Sequence, residues 1–195
     1  MNKTKFLSFL LLSCLLLSCN PERVKYTNEL KQEMADKKIK RITNADLVET
    51  VDAFGERITT VIQKELTAEL QKTTDPAEQA QLCQLQNLPR TKAIADRYAI
   101  DIQLLSGADV SNKSLSSKER EVLDAYLYNA EKKLPQISNI QKISDTLYVY
   151  NAAVPTGNVI CQTCFGTQKT PLAVWRLVFP KREIVRRMKP TKKKK

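Results

Sequence analysis

The sequence predicts an α+β fold, a small antiparallel sheet packed on helices, with a long helix at its N-terminal side. Three observations carry this reading. Leu47, Val51, Phe54, Ile58, Val61, Ile62, Leu66 and Leu70 recur at three- and four-residue steps, the stripe of one amphipathic helix of about seven turns. Residues 137–143 and 147–154 are β-rich runs separated only by Ser144-Asp145-Thr146, which predicts a hairpin. The other strand signals, over 99–106 and 172–179, are not joined by repeating strand–helix units, so an antiparallel sheet is expected.

The elements follow in order. Lys3 and Lys5 precede an apolar run from Phe6 to Leu17, broken by Ser8, Ser13 and Cys14. The run is shorter than the ~20 residues a membrane-spanning helix needs, and it has the layout of a signal peptide. It closes on Leu16-Leu17-Ser18-Cys19, the lipobox pattern of a bacterial lipoprotein. Removal of residues 1–18 would leave Cys19 as the lipidated N-terminus. Leu11-Leu12-Ser13-Cys14 also fits the box, but cleavage there would leave a very short apolar region. Two acyl chains plus an amide-linked third anchor stably where a single chain is marginal. The domain is therefore expected in the cell envelope, outside the cytoplasm. Asn20, where Asp would signal retention, favours the outer membrane by analogy with enteric sorting.

Residues 19–42 are polar and charged and read as a tether. Thr43 with Asp46 caps the long helix, and Gly55 sits inside it at a cost of ~1 kcal/mol relative to alanine. Asp75-Pro76 with Glu78 opens a second helix through Leu82, Cys83 and Leu85. It meets Pro89 and resumes through Ile94 and Tyr98. A strand follows over 99–106, then a polar loop. Ser116 with Glu119 forms a capping box for a helix through Val122, Leu123, Tyr126, Leu127 and Ala130. After the hairpin come a cysteine-bearing loop and a last strand over 172–179. The main domain is expected over 43–180, with 181–195 as a basic tail.

Composition narrows the function. The 195-residue chain carries a formal charge of +11, and removing Lys3 and Lys5 with residues 1–18 leaves +9. It contains no histidine, which excludes Ser/His/Asp triads and histidine-based metal sites. The four glycines, Gly55, Gly107, Gly157 and Gly166, form no phosphate-binding loop. No carboxylate spacing suggests general acid–base work. Lys181, Arg182, Arg186, Arg187, Lys189 and Lys192–Lys195 make a basic end suited to an anionic surface, worth ~1 kcal/mol per cation near an anionic membrane. Nucleic acid is a poor partner for an exported chain.

Cys161-Gln162-Thr163-Cys164-Phe165 has the spacing of a covalent haem site, with phenylalanine where the ligating histidine belongs. Three readings stand for Cys161 and Cys164: haem attachment, a disulfide between the two, or a thiol–disulfide couple. An oxidising compartment favours the disulfide. Cys83 is then the odd thiol, and on a helix's apolar side it reads as a small buried hydrophobe.

Over roughly residues 44–180 the chain resembles the Tll-like PAS-type haem-binding family, periplasmic single-haem c-type domains found alone or in sensor kinases. The resemblance rests on Cys83-Gln84-Leu85-Gln86-Asn87-Leu88-Pro89, on Glu119-Arg120-Glu121-Val122-Leu123, on Leu147-Tyr148-Val149-Tyr150, and on Pro155 leading into Cys161-Gln162-Thr163-Cys164-Phe165-Gly166. It implies a PAS-like fold, haem bound at Cys161 and Cys164, and Cys83 either as an axial ligand or as a thiol partner of the C-x-x-C. It also implies that Phe165, Tyr148, Tyr150 and Trp175 lie at the haem pocket, and the preferred expectation is that Phe165 and neighbouring apolar groups fill it. Three departures lie at that pocket: Phe165 for histidine, Asp109-Val110-Ser111-Asn112-Lys113 in place of an arginine-bearing segment, and a short stretch over 167–171. The expected protein is thus a non-enzymatic binding or sensing module without covalent haem, acting through an unidentified protein partner. The alternatives are a thiol-redox protein using Cys161 and Cys164, or haem held by Cys83 and the C-x-x-C thiols.

Overall fold

The computed structural model describes Thr27, Asn28 and residues 42–188. The chain divides into two units, Met1–Arg41 and Ile42–Lys195, and the second is described here. The signal peptide, Cys19, most of the tether and Lys192–Lys195 lie outside the described residues.

Helix α1 spans Asn44–Leu70, opened by the expected box: the Thr43 hydroxyl accepts from the Asp46 amide at 3.1 Å, and Asp46 accepts from the Thr43 amide at 2.9 Å. Its stripe of Leu47, Val51, Ile58, Ile62, Leu66 and Leu70 is buried. Helices α2 (Pro76–Cys83) and α3 (Pro89–Tyr98) follow, then strand β1 (Asp101–Ser106) and a 3-10 turn over Gly107–Ser111. Helix α4 (Ser117–Glu131) is opened by the Ser116–Glu119 box. Strands β2 (Asn139–Lys142) and β3 (Leu147–Ala153) form the hairpin, helix α5 spans Val159–Phe165, strand β4 spans Ala173–Pro180, and helix α6 spans Lys181–Arg187.

The four strands form one antiparallel sheet in the order β1-β4-β3-β2, so the architecture is α+β as expected. Central strand β4 is buried on both faces. Ala173, Trp175, Leu177 and Phe179 join the main core under α1, while Leu172 and Val174 join a second cluster with Leu105, Leu115, Leu123 and Tyr126 of the α4 side. That alternation is the period-2 geometry of a strand covered above and below.

Two expectations change. The C-x-x-C segment is not a loop: Asn158 caps it, its side chain accepting from the Ile160 amide at 2.9 Å, and the helix α5 forms. Residues 181–187 are not a free tail either. They continue directly from β4 as a helix, because Glu183 and Ile184 bury against the domain.

Candidate functional site

The cysteines meet where α2 ends and α5 passes. Asp75 accepts from the Ala77 amide at 3.2 Å and Pro76 takes the first helical position, so α2 starts firmly and delivers Cys83 at its last residue. The turn that follows holds Leu85 (φ 60°) and Asn87 (φ 59°) in the left-handed region. Asparagine tolerates that region, but leucine adopts it at a cost and is held there by packing against the main core.

The start of α3 also needs help from a distance. Leu88 stands at its cap position and offers no side-chain acceptor. Glu65 of α1 supplies one: its carboxylate accepts from the Arg90 amide at 2.8 Å, the Thr91 amide at 2.7 Å and the Thr91 hydroxyl at 2.8 Å. A carboxylate at a helix N-terminus satisfies orphan donors and opposes the helix dipole favourably. Here it comes from another helix, and it fixes the Cys83–Pro89 turn against α1.

On α5 the two motif cysteines lie one turn apart and do not bond to each other. Cys164 is joined to Cys83, with a Cα–Cα distance of 5.5 Å across a sequence separation of 81, and Cys161 is free and fully buried. The expected Cys161–Cys164 disulfide is therefore replaced by a bridge between two helices. The reading of Cys83 as an unbonded apolar filler falls with it. The physical reason is position: α2 ends beside α5, so the two Cα atoms lie inside the range a disulfide spans.

Cys161 is chemically quiet. Its thiol points at the Pro155 and Val154 carbonyl oxygens, 3.6 and 3.9 Å away. Burial pushes the thiol above its ordinary range, outweighing the lowering from backbone hydrogen bonds. A thiol so placed is a poor nucleophile, because the thiolate is the reactive species. Gly166 ends α5, and a Cβ there would stand 2.2 Å from the Gln162 carbonyl oxygen, which requires glycine.

The aromatic residues expected to line or fill a pocket are core residues. Tyr148, Tyr150 and Trp175 are buried in the main cluster, and Phe165 packs half-buried at its edge. The Tyr148 hydroxyl donates to the Asn44 side-chain oxygen at 2.6 Å, tying β3 to the first turn of α1. Two open clefts lie elsewhere. One, of about 840 Å³, runs between the Leu85–Lys92 segment and the start of β1. The other, of about 690 Å³, lies between the end of α4 and residues 169–171. None of Cys83, Cys161, Cys164 or Phe165 lines either cleft.

Covalent haem attachment through the C-x-x-C uses two free thiols; in this structure Cys164 is bonded to Cys83 and Cys161 is buried, and the chain has no histidine to ligate iron. Among the described residues no cluster of three or more His, Cys, Asp or Glu could hold a metal ion.

Sequence reasoning missed Glu65 and half the role of Glu119. Besides capping α4, Glu119 forms a buried ion pair with Arg176 of β4 at 2.7 Å. A carboxylate three residues past a capping serine was visible in the sequence, but its partner 57 residues away was not. The fold and the site define an α+β domain with helices on both faces of its sheet, two of them clamped by one disulfide. Comparison of the chain with protein-family models, with curated proteins and with solved structures finds no match.

Proposed function

We propose that this chain is a lipid-anchored protein of the bacterial cell envelope, whose PAS-like domain works as a binding or sensing module without covalent haem and without catalysis. The observation that carries this is the Cys83–Cys164 disulfide. It joins the thiol that the resemblance makes an axial ligand to one of the two thiols that would hold the haem. Phe165 stands in the ligand position, and the interior beneath is filled by Tyr148, Tyr150 and Trp175. The sheet order β1-β4-β3-β2, with the hairpin at one edge and the first strand at the other, supports the PAS-like assignment. The disulfide itself favours an oxidising compartment, in keeping with the lipobox at Cys19.

A thiol-redox role for Cys161 and Cys164 has little support: one is bonded outside the motif, and the other is buried with its thiolate disfavoured. On this reading the output of the domain passes to a protein partner.

The test is a visible absorption spectrum and a denaturing-gel haem stain of the full chain, exported in a host with active c-type haem maturation. A colourless protein whose non-reduced digest contains a Cys83–Cys164 cross-linked peptide is expected. A Soret band that survives denaturation would sink the proposal and make Cys83→Ala the next variant to study.

A further inference from the structure

Helix α6 is held by one side and displays cations on the other. Glu183 and Ile184 face inward and are buried. The Arg187 guanidinium lies 4.4 Å from the centre of the Tyr98 ring and donates to the Arg97 carbonyl oxygen. Arg97 stands 5.8 Å from the same ring. Tyr98 meets Phe54 edge-on at 5.9 Å, and Phe54 carries the Arg57 guanidinium at 5.1 Å. These contacts run unbroken from α6 through α3 to α1.

Arg57, Arg97 and Arg187 are thus the ring-stacked cations, and Lys181, Arg182 and Arg186 are the other cations that α6 carries beside them. The Arg182 and Arg186 side chains are 84% and 65% exposed, and exposed Val185 adjoins them. Glu183 is within 3.9 Å of Arg182, Arg186 and Arg187, and it is buried. Even with exposed Glu56 and Asp96 and the Asp145 beside Lys181 counted, the cations of this face outnumber its acids six to four. Arginines stacked on rings are pre-ordered, and a guanidinium matches the two oxygens of a phosphate. A lysine-only tail has neither property.

We propose that this arginine–aromatic face docks the domain onto a bilayer surface bearing anionic phosphate headgroups. Charge complementarity selects the occupant, and the half-buried rings with exposed Val185 suit the apolar edge of a membrane interface. The choice of a bilayer rests on the lipid-anchor reading above, which holds the domain near one.

Trp175, the sole tryptophan, is the reporter. The full chain is mixed with phosphatidylcholine vesicles carrying a dansyl-headgroup lipid, with and without phosphatidylglycerol. Energy transfer from Trp175 is expected to rise with phosphatidylglycerol and to fall as salt screens the contact. Arg182→Gln with Arg186→Gln should weaken docking about 30-fold, at the usual worth of a cation near an anionic surface, and Arg182→Glu with Arg186→Glu should weaken it further because two acids are added. Deleting residues 189–195 should leave most of the transfer. Transfer indifferent to phosphatidylglycerol overturns the proposal. So does transfer lost on the deletion yet kept in the double variant. An unchanged Trp175 emission maximum reports folding, and the milder Arg182→Gln, Arg186→Gln pair serves if charge reversal disturbs it. Flotation with phosphatidylcholine alone tests the anchor separately: a chain that floats only with phosphatidylglycerol keeps the docking face and loses the anchor reading.

Discussion

Gly55 shows what a single residue decides. In a helix interior glycine costs ~1 kcal/mol against alanine, so on helix propensity alone Gly55→Ala should stabilise. The structure reverses that sign. A Cβ at position 55 would stand 2.4 Å from the Tyr150 ring, which lies flat against the α1 backbone. Overpacking of a filled core costs about 1–3 kcal/mol and outweighs the gain in propensity. Gly55→Ala is therefore expected to lower stability by about 1–2 kcal/mol in urea unfolding. Gly157→Ala, where nothing lies within 4 Å, should be close to neutral. A stabilised Gly55→Ala would mean that α1 does not sit on Tyr150 as described. The sequence marks Gly55 as an anomaly, but its partner lies on β3, far away along the chain.

The α2–α5 clamp belongs to the scale of elements. Helix α2 is eight residues long and α5 seven, too short to persist without tertiary support. The Cys83–Cys164 bond holds both and closes a long loop. In the chain-entropy account, a separation of 81 corresponds to about 4.5 kcal/mol removed from the unfolded state. Cys83→Ser is expected to lower the unfolding free energy by about 2–4 kcal/mol, and a reducing agent should do the same to the wild type. In the reduced wild type, Cys83→Ser should then have little further effect. Equal stability of the oxidised wild type and the variant would show that the bond is not formed. The sequence names all three thiols yet leaves their pairing open, because a C-x-x-C pattern favours its own two members until the helices are placed.

Across the whole molecule, the Glu119–Arg176 pair ties α4 to the sheet on the side opposite α1. Burial alone would raise the Glu119 carboxyl. The Ser116 hydroxyl and amide and the Arg176 guanidinium outweigh that and hold it below the ordinary carboxylate range. A carboxyl lowered in the native state stabilises fully above its unfolded value of about 4.3, and that contribution fades as pH falls through the native value. Thermal melts from neutral to acid pH should show the loss in the wild type and a shallower decline in Glu119→Gln. At neutral pH that variant should already be less stable by about 2 kcal/mol, since it weakens hydrogen bonds to a charged group. Parallel pH profiles for the two proteins would remove Glu119 from the acid response.

By itself the sequence determined the elements and their caps. The Thr43, Asp75 and Ser116 starts, the heptad-like stripe of α1 and the 144–146 turn all depend on side chains within a few residues of the backbone they organise. Tertiary structure decided what those elements touch. It set Cys83 against Cys164, brought Glu65 to the uncapped start of α3, and laid Tyr150 on Gly55. It also turned the start of a basic tail into a docked helix, because Glu183 and Ile184 found a buried surface that no local pattern encodes. Caps and periodicity act over one or two turns, whereas pairing and packing depend on residues separated by 25 to 104 positions, and only the folded chain brings those together.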